Sequence, residues 1–111
     1  MKQTRDFSKK QESDIAKALG GKRQPNSGAT QFRKGDVILD RFLIECKTVT
    51  QNRQSFSIQK SVITKIDTER FAMGKLYWSV AFNFGPGLPN YYIVDESIMK
   101  YLIKKLKEED G

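Results

Sequence analysis

Histidine is missing from the sequence altogether. Its absence excludes the Ser-His and Cys-His nucleophile pairs and imidazole general acid–base catalysis. Cys46 is the single cysteine, so there is no internal disulfide and no second thiolate for a zinc site, as suits a reducing compartment. No apolar run approaches the ~20 residues of a membrane span. Met1-Lys2-Gln3-Thr4-Arg5-Asp6 also lacks the apolar stretch of a secretory signal. The expectation is a cytoplasmic protein, of a bacterium or an infected host cell, with no membrane partner. Any chemistry then falls to carboxylates, lysines and a metal.

What the sequence does have is charge. Its 111 residues suffice for one domain with a single core, expected to run from residue 1 to 111 with residues 1–7 flexible and 108–111 a short acidic tail. The formal net charge of +7 points to a polyanionic partner, nucleic acid before any membrane surface.

Within this basic chain one stretch gathers acids. Gly35-Asp36-Val37-Ile38 is followed by Phe42-Leu43-Ile44-Glu45-Cys46-Lys47. The second run is strand-like, and residues two apart in a strand share a face, so Glu45 and Lys47 project together while Cys46 points away. A tight turn at Asp40-Arg41 makes a hairpin that returns Asp36 to the side of Glu45. Two readings follow. The stretch is either an exposed hairpin with a weak Glu–Lys surface pair, or a hard-oxygen site for Mg²⁺ or Mn²⁺ with Lys47 beside it.

Along the chain, a helix is expected from about Ser8 to Leu19. Ser8 and Gln11 match a capping box, and Gly20-Gly21 gives the stop. Ile15, Ala16 and Leu19 form its inward stripe. Glu12 lies on or beside that stripe, either as a first-turn acid favoured by the helix dipole or aimed at a metal site. Residues 22–34 read as a loop, in which Arg23, Ser27, Gly28, Arg33 and Lys34 are either solvated or in contact with phosphates. After Lys47, a helix capped by Ser55 or Ser57 runs to about Met73 with Ile58, Val62, Ile66 and Met73 inward. Gln59 and Lys60 in its first turn are solvent-facing residues or substrate contacts. Leu76, Trp78, Val80, Phe82 and Phe84 then alternate along a strand with one buried side. Tyr91 to Val94 is a further strand. Asp95 or Ser97 caps a last helix, with Ile98, Met99, Leu102, Ile103 and Leu106 inward and its lysines facing solvent, DNA or a partner subunit. The order α-β-β-α-β-β-α describes an α/β fold, a central mixed sheet flanked by helices.

On these residues the chain resembles the PD-(D/E)xK nuclease superfamily, and within it most closely the archaeal-type Holliday junction resolvases and their phage relatives. A small VRR-type nuclease is a close second. The resemblance runs from about Gln11 to Phe84. It is carried by Glu12, Arg23, Ser27-Gly28, Gly35-Asp36-Val37-Ile38, Ile44-Glu45-Cys46-Lys47 and the helix bearing Gln59. Gly35 stands where the superfamily often has proline, and the spacing from Asp36 to Glu45 is short for it.

The resemblance implies a restriction-endonuclease-like core. It also implies that Asp36, Glu45 and the Cys46 carbonyl bind Mg²⁺, with Mn²⁺ able to substitute, and that Glu12 completes the acidic cluster. Lys47 would position the attacking water or stabilise the transition state, and Arg23, Ser27 and Gln59 would approach the DNA. The expected activity is metal-dependent, structure-selective endonucleolytic cleavage of branched DNA by a homodimer. The alternatives are a non-catalytic basic nucleic-acid-binding module and a nicking or end-processing nuclease without junction preference.

Overall fold

Phe42 to Lys47 form the central strand of the molecule, and the other elements are arranged about it. The structure, a computed structural model, describes residues 4–24 and 36–110. In chain order these form α1 (Thr4–Leu19), β1 (Lys22–Arg23), β2 (Val37–Ile38), β3 (Phe42–Lys47), α2 (Lys60–Ala72), β4 (Tyr77–Phe82), β5 (Tyr91–Ile93) and α3 (Glu96–Asp110). The sheet order is β1-β2-β3-β4-β5. β1, β2 and β3 are antiparallel neighbours, as are β4 and β5, while β3 and β4 run parallel with α2 as their crossover. This is an α/β fold with a mixed sheet and helices on both faces.

The two faces of β3 bury different cores. Ile44 and Cys46 pack with Val37 and Ala81 under Ile15 and Ala16 of α1. Leu43 packs with Trp78 and Val80 under Ile66 of α2, flanked by the partly buried Ile58, Val62 and Met73. The period-2 alternation of a strand therefore feeds two layers. It also corrects the reading of β4 as buried on one side: Ser79 and Ala81 are as buried as Trp78 and Val80, and Leu76 lies outside the strand, 58% exposed. The Ser79 hydroxyl satisfies itself by donating to the Ile93 carbonyl at 3.0 Å.

Four further expectations change. Lys22 and Arg23 are not loop but a two-residue strand, paired with Ile38 and Val37. α1 begins at Thr4, so residues 4–7 are helical and Ser8 is inside the helix rather than its cap. α2 starts at Lys60 behind Gln59, with no side-chain cap, not at Ser55 or Ser57. α3 continues through the acidic tail to Asp110, and of its apolar positions only Ile98 is buried among the described residues. Asp95 does cap α3, accepting from the Ile98 N–H at 3.1 Å and the Ser97 hydroxyl at 2.7 Å, which lowers its carboxyl pKa.

Gly20 and Gly21 dock α1 on the sheet. Gly20 ends the helix at φ +76, which a side chain would resist. A Cβ on Gly21 would stand 2.6 Å from the Ile38 carbonyl oxygen, so only glycine lets the chain turn this close to β2.

Candidate active site

The hairpin that the short Asp36–Glu45 spacing requires is formed. Val37 pairs with Ile44 and Ile38 with Leu43, and the turn closes through the Leu39 N–H to the Phe42 carbonyl at 3.0 Å. Asp36, just before β2, is held from both sides. Its N–H donates to the Ile44 carbonyl at 2.9 Å, and its own carbonyl accepts from the Gln24 N–H at 2.8 Å. Its carboxylate then reaches β3, where Oδ2 accepts from the Cys46 N–H at 2.7 Å. The N–H and C=O of a strand residue point to the same edge, so the Cys46 carbonyl also faces the Asp36 side of β3.

Glu45 and Lys47 share the α2 face of β3, opposite Cys46. Burial first, and the charge of Asp36 second, push the Glu45 carboxyl up to about 7. Asp36 is itself raised by burial, against the Cys46 N–H bond and the charges of Lys65 and Lys47. Burial and Asp36 also raise Glu12, against its ion pair with Arg23 at 3.1 Å. Asp36 is thus the hub. It is coupled to Glu45 and Lys47 on the α2 side and to Glu12 on the α1 side, while no influence of Glu12 registers at Glu45. Cys46 is buried among these acids, and burial and their charges keep its thiol protonated.

Among the described residues no three His, Cys, Asp or Glu side chains stand close enough to form a metal cage. The donor set still suits Mg²⁺, which is commonly held by one or two carboxylates while keeping several waters. Two half-buried acids, both raised by burial and Glu45 raised further by Asp36, form a site that a divalent cation would relieve.

The remaining expected site residues divide. Arg23 turns to Glu12 rather than standing free. Gln59 and Lys60 are exposed at the start of α2, where the Gln59 Oε1 accepts from the Ser61 hydroxyl at 3.4 Å. Ser27, Gly28, Arg33 and Lys34 lie outside the described residues.

Three residues not singled out by sequence reasoning belong here. Lys65 and Glu69, an i,i+4 pair on α2 at 3.6 Å, both act on Asp36 and Glu45, and Glu69 is buried. Their spacing was legible, but not that their face of α2 meets Glu45. Gln11 is 5% exposed. Its amide donates to the Lys47 carbonyl at 3.1 Å and accepts from the Thr48 hydroxyl at 2.7 Å, fixing α1 to the exit of β3. In the sequence Gln11 reads only as the capping-box partner of Ser8, and nothing there marks it as a clamp on β3. The chain matches no protein-family model, no curated protein and no solved structure.

Proposed function

We propose that this chain is a metal-dependent phosphodiester hydrolase of the PD-(D/E)xK kind. The observation that carries the reading is the convergence of Asp36, Glu45 and Lys47 at the mouth of one hairpin, in a chain of net charge +7. Asp36, Glu45 and the Cys46 carbonyl would hold the ion, with Glu12 behind Asp36. A bound Mg²⁺ supplies Lewis-acid polarisation of the phosphodiester and eases deprotonation of water. Lys47, on the same face as Glu45, orients the attacking water and offsets charge growing on the phosphate. Gln11 fixes the backbone that carries Lys47.

The particular activity we infer is cleavage of branched DNA, in the manner of a Holliday junction resolvase acting as a homodimer in the cytoplasm. A pair of sites related by a two-fold axis suits a near-symmetric four-way junction. Selectivity in this reading comes from backbone contacts and DNA shape, because the sequence carries no base-reading motif.

Labelled four-way junction, linear duplex and single strand, each incubated with Mg²⁺, Mn²⁺ or EDTA, test the reading. Junction cleavage with either metal and none with EDTA is expected. Asp36→Asn, Glu45→Gln and Lys47→Ala should each abolish cleavage and retain junction binding. Equal cutting of all three substrates would leave a nicking or end-processing nuclease. The ion pair of Glu12 with Arg23 favours the other alternative, a non-catalytic binding module whose acids are structural. That alternative requires no cleavage under any metal and binding that weakens with salt.

A further inference from the structure

α3 is an amphipathic helix held to the rest of the described residues only through its first half, where Ile98 is buried and the Tyr101 ring lies 6.4 Å from that of Tyr77. It lies against no other helix or strand to any substantial extent among the described residues. Met99, Leu102, Ile103 and Leu106 on its apolar stripe are 51, 46, 46 and 59% exposed. Beside its first half an apolar groove of about 320 Å³ opens between the end of α1 and the sheet, bordered by Leu19, Leu39, Phe42, Tyr92, Val94 and Leu102. Leu19 and Tyr92 are themselves 42 and 38% exposed. A face of this kind, continuous from helix to groove, is an association surface.

We propose that the occupant is a second copy of this chain, its α3 antiparallel to the first. Charge argues for this. In α3, Lys100, Lys104, Lys105 and Lys107 are balanced by Glu96, Glu108, Glu109 and Asp110, so the helix is neutral within a chain of net charge +7. It is a surface on which two such basic copies do not repel one another, and a poor one for a phosphate backbone.

Register argues for it as well. The exposed apolar stripe, Met99, Leu102, Ile103 and Leu106, is centred between Leu102 and Ile103. A two-fold axis at that point sets Met99 against Leu106 and Leu102 against Ile103 of the other copy. It leaves Glu96 and the other copy's Lys107 on the same flank of the stripe, about 3 Å apart along the helix axis. Leu102, which borders the groove, then lies at the centre of the contact. Each copy thus presents the same helix face to the other, an isologous arrangement.

The area is of the right order. At 38–59% exposure, Met99, Leu102, Ile103, Leu106, Leu19 and Tyr92 together leave roughly 500 Å² of apolar surface open, which a polar rim brings to the ~600 Å² needed on one side of a specific interface. This pairing gives the two-copy reading above its surface. It rests on that reading only for its consequence, two active sites on one DNA, and stands on α3 for the rest.

Sedimentation equilibrium on the whole chain, without DNA or metal, is the test. The wild-type protein and Asp36→Asn are expected to be dimers at micromolar concentration. Leu106→Glu, at an exposed site that leaves the fold intact by circular dichroism, should raise the dissociation constant about a hundredfold. Glu96→Lys should weaken the dimer about tenfold, and Glu96→Lys with Lys107→Glu should restore it. A wild-type monomer overturns the proposal, as does a dimer indifferent to Leu106→Glu or a double variant no tighter than Glu96→Lys. Monomers that lose DNA binding on Leu106→Glu would assign the face to nucleic acid and overturn it equally. None of these readings depends on cleavage, so failure of the nuclease reading and failure of the pairing are separable.

Discussion

Glu45 is the residue at which stability and proposed function oppose each other. Its carboxyl is raised from 4.5 to about 7 by burial and by Asp36, so the folded chain holds this proton more tightly than the unfolded chain does. A raised carboxyl makes folding most favourable below the unfolded pKa. That contribution is lost as pH climbs from about 4.5 to about 7, and the loss persists above it. At ~1.4 kcal/mol per unit the cost is on the order of 3 kcal/mol. Glu45→Gln removes the charge but keeps the shape. It should be more stable than the wild-type chain at pH 8, by several degrees in Tm, and nearly equal to it at pH 4. Mg²⁺ should raise the Tm of the wild-type chain at pH 8 and leave Glu45→Gln unmoved, since only a ligand of the folded state stabilises it. Thermal melts at the two pH values, with and without the ion, decide this. A Glu45→Gln chain no more stable at pH 8 would mean that burial and Asp36 do not raise the Glu45 carboxyl.

At the scale of elements, what could be read in the sequence was what neighbouring residues determine. β3, its sidedness and the turn back to Asp36 follow from a period of two and a short connection, so Asp36, Glu45 and Lys47 could be placed together. Glu12 on α1 and the crossover α2 between parallel β3 and β4 were legible for the same reason. Two residues at Lys22-Arg23 carry no pattern of their own; they become a strand because β2 offers them an edge. The Leu76 to Phe84 alternation suggested one buried side, but α1 and α2 cover opposite faces of the sheet, so the small residues Ser79 and Ala81 are core as well. Lys65, Glu69 and Gln11 were invisible as site residues because the rotation of a helix against a sheet is a tertiary outcome. Gln11 offers a test of that outcome. Gln11→Leu removes the bond to the Lys47 carbonyl and leaves the Thr48 hydroxyl without its acceptor. The expected cost is ~1–3 kcal/mol in denaturant unfolding. With Lys47 loosened, kcat for junction cleavage should fall about tenfold at unchanged KM. An equal loss in Gln11→Leu and Lys10→Ala, the latter in an exposed pair with Asp14, would remove any special role for the clamp. Gly21→Val tests the docking of α1 in the same way. Its side chain meets the Ile38 carbonyl, and destabilisation of at least ~2 kcal/mol is expected.

On the scale of the whole molecule, the distribution of charge separates two surfaces. α3 is neutral, so the net charge of +7 is carried by the rest of the chain, around an acidic site. A phosphodiester strand approaching Asp36 and Glu45 meets two repelling carboxylates, and the surrounding lysines and arginines must more than offset them. Binding of the Asp36→Asn chain to a four-way junction should therefore weaken linearly in log Kd against log salt. The slope should fall by about 0.9 for each cation removed that touches a phosphate. Lys65 on α2, close enough to act on both acids, is expected to be such a cation, so Lys65→Ala should flatten the slope by about one unit. Lys104 on α3 is not, and Lys104→Ala should leave the slope unchanged if that helix faces another copy rather than DNA. Fluorescence anisotropy over a salt series measures both. A slope that falls for Lys104→Ala and not for Lys65→Ala would turn the molecule around, putting DNA on the α3 side and leaving the acidic hairpin without a substrate.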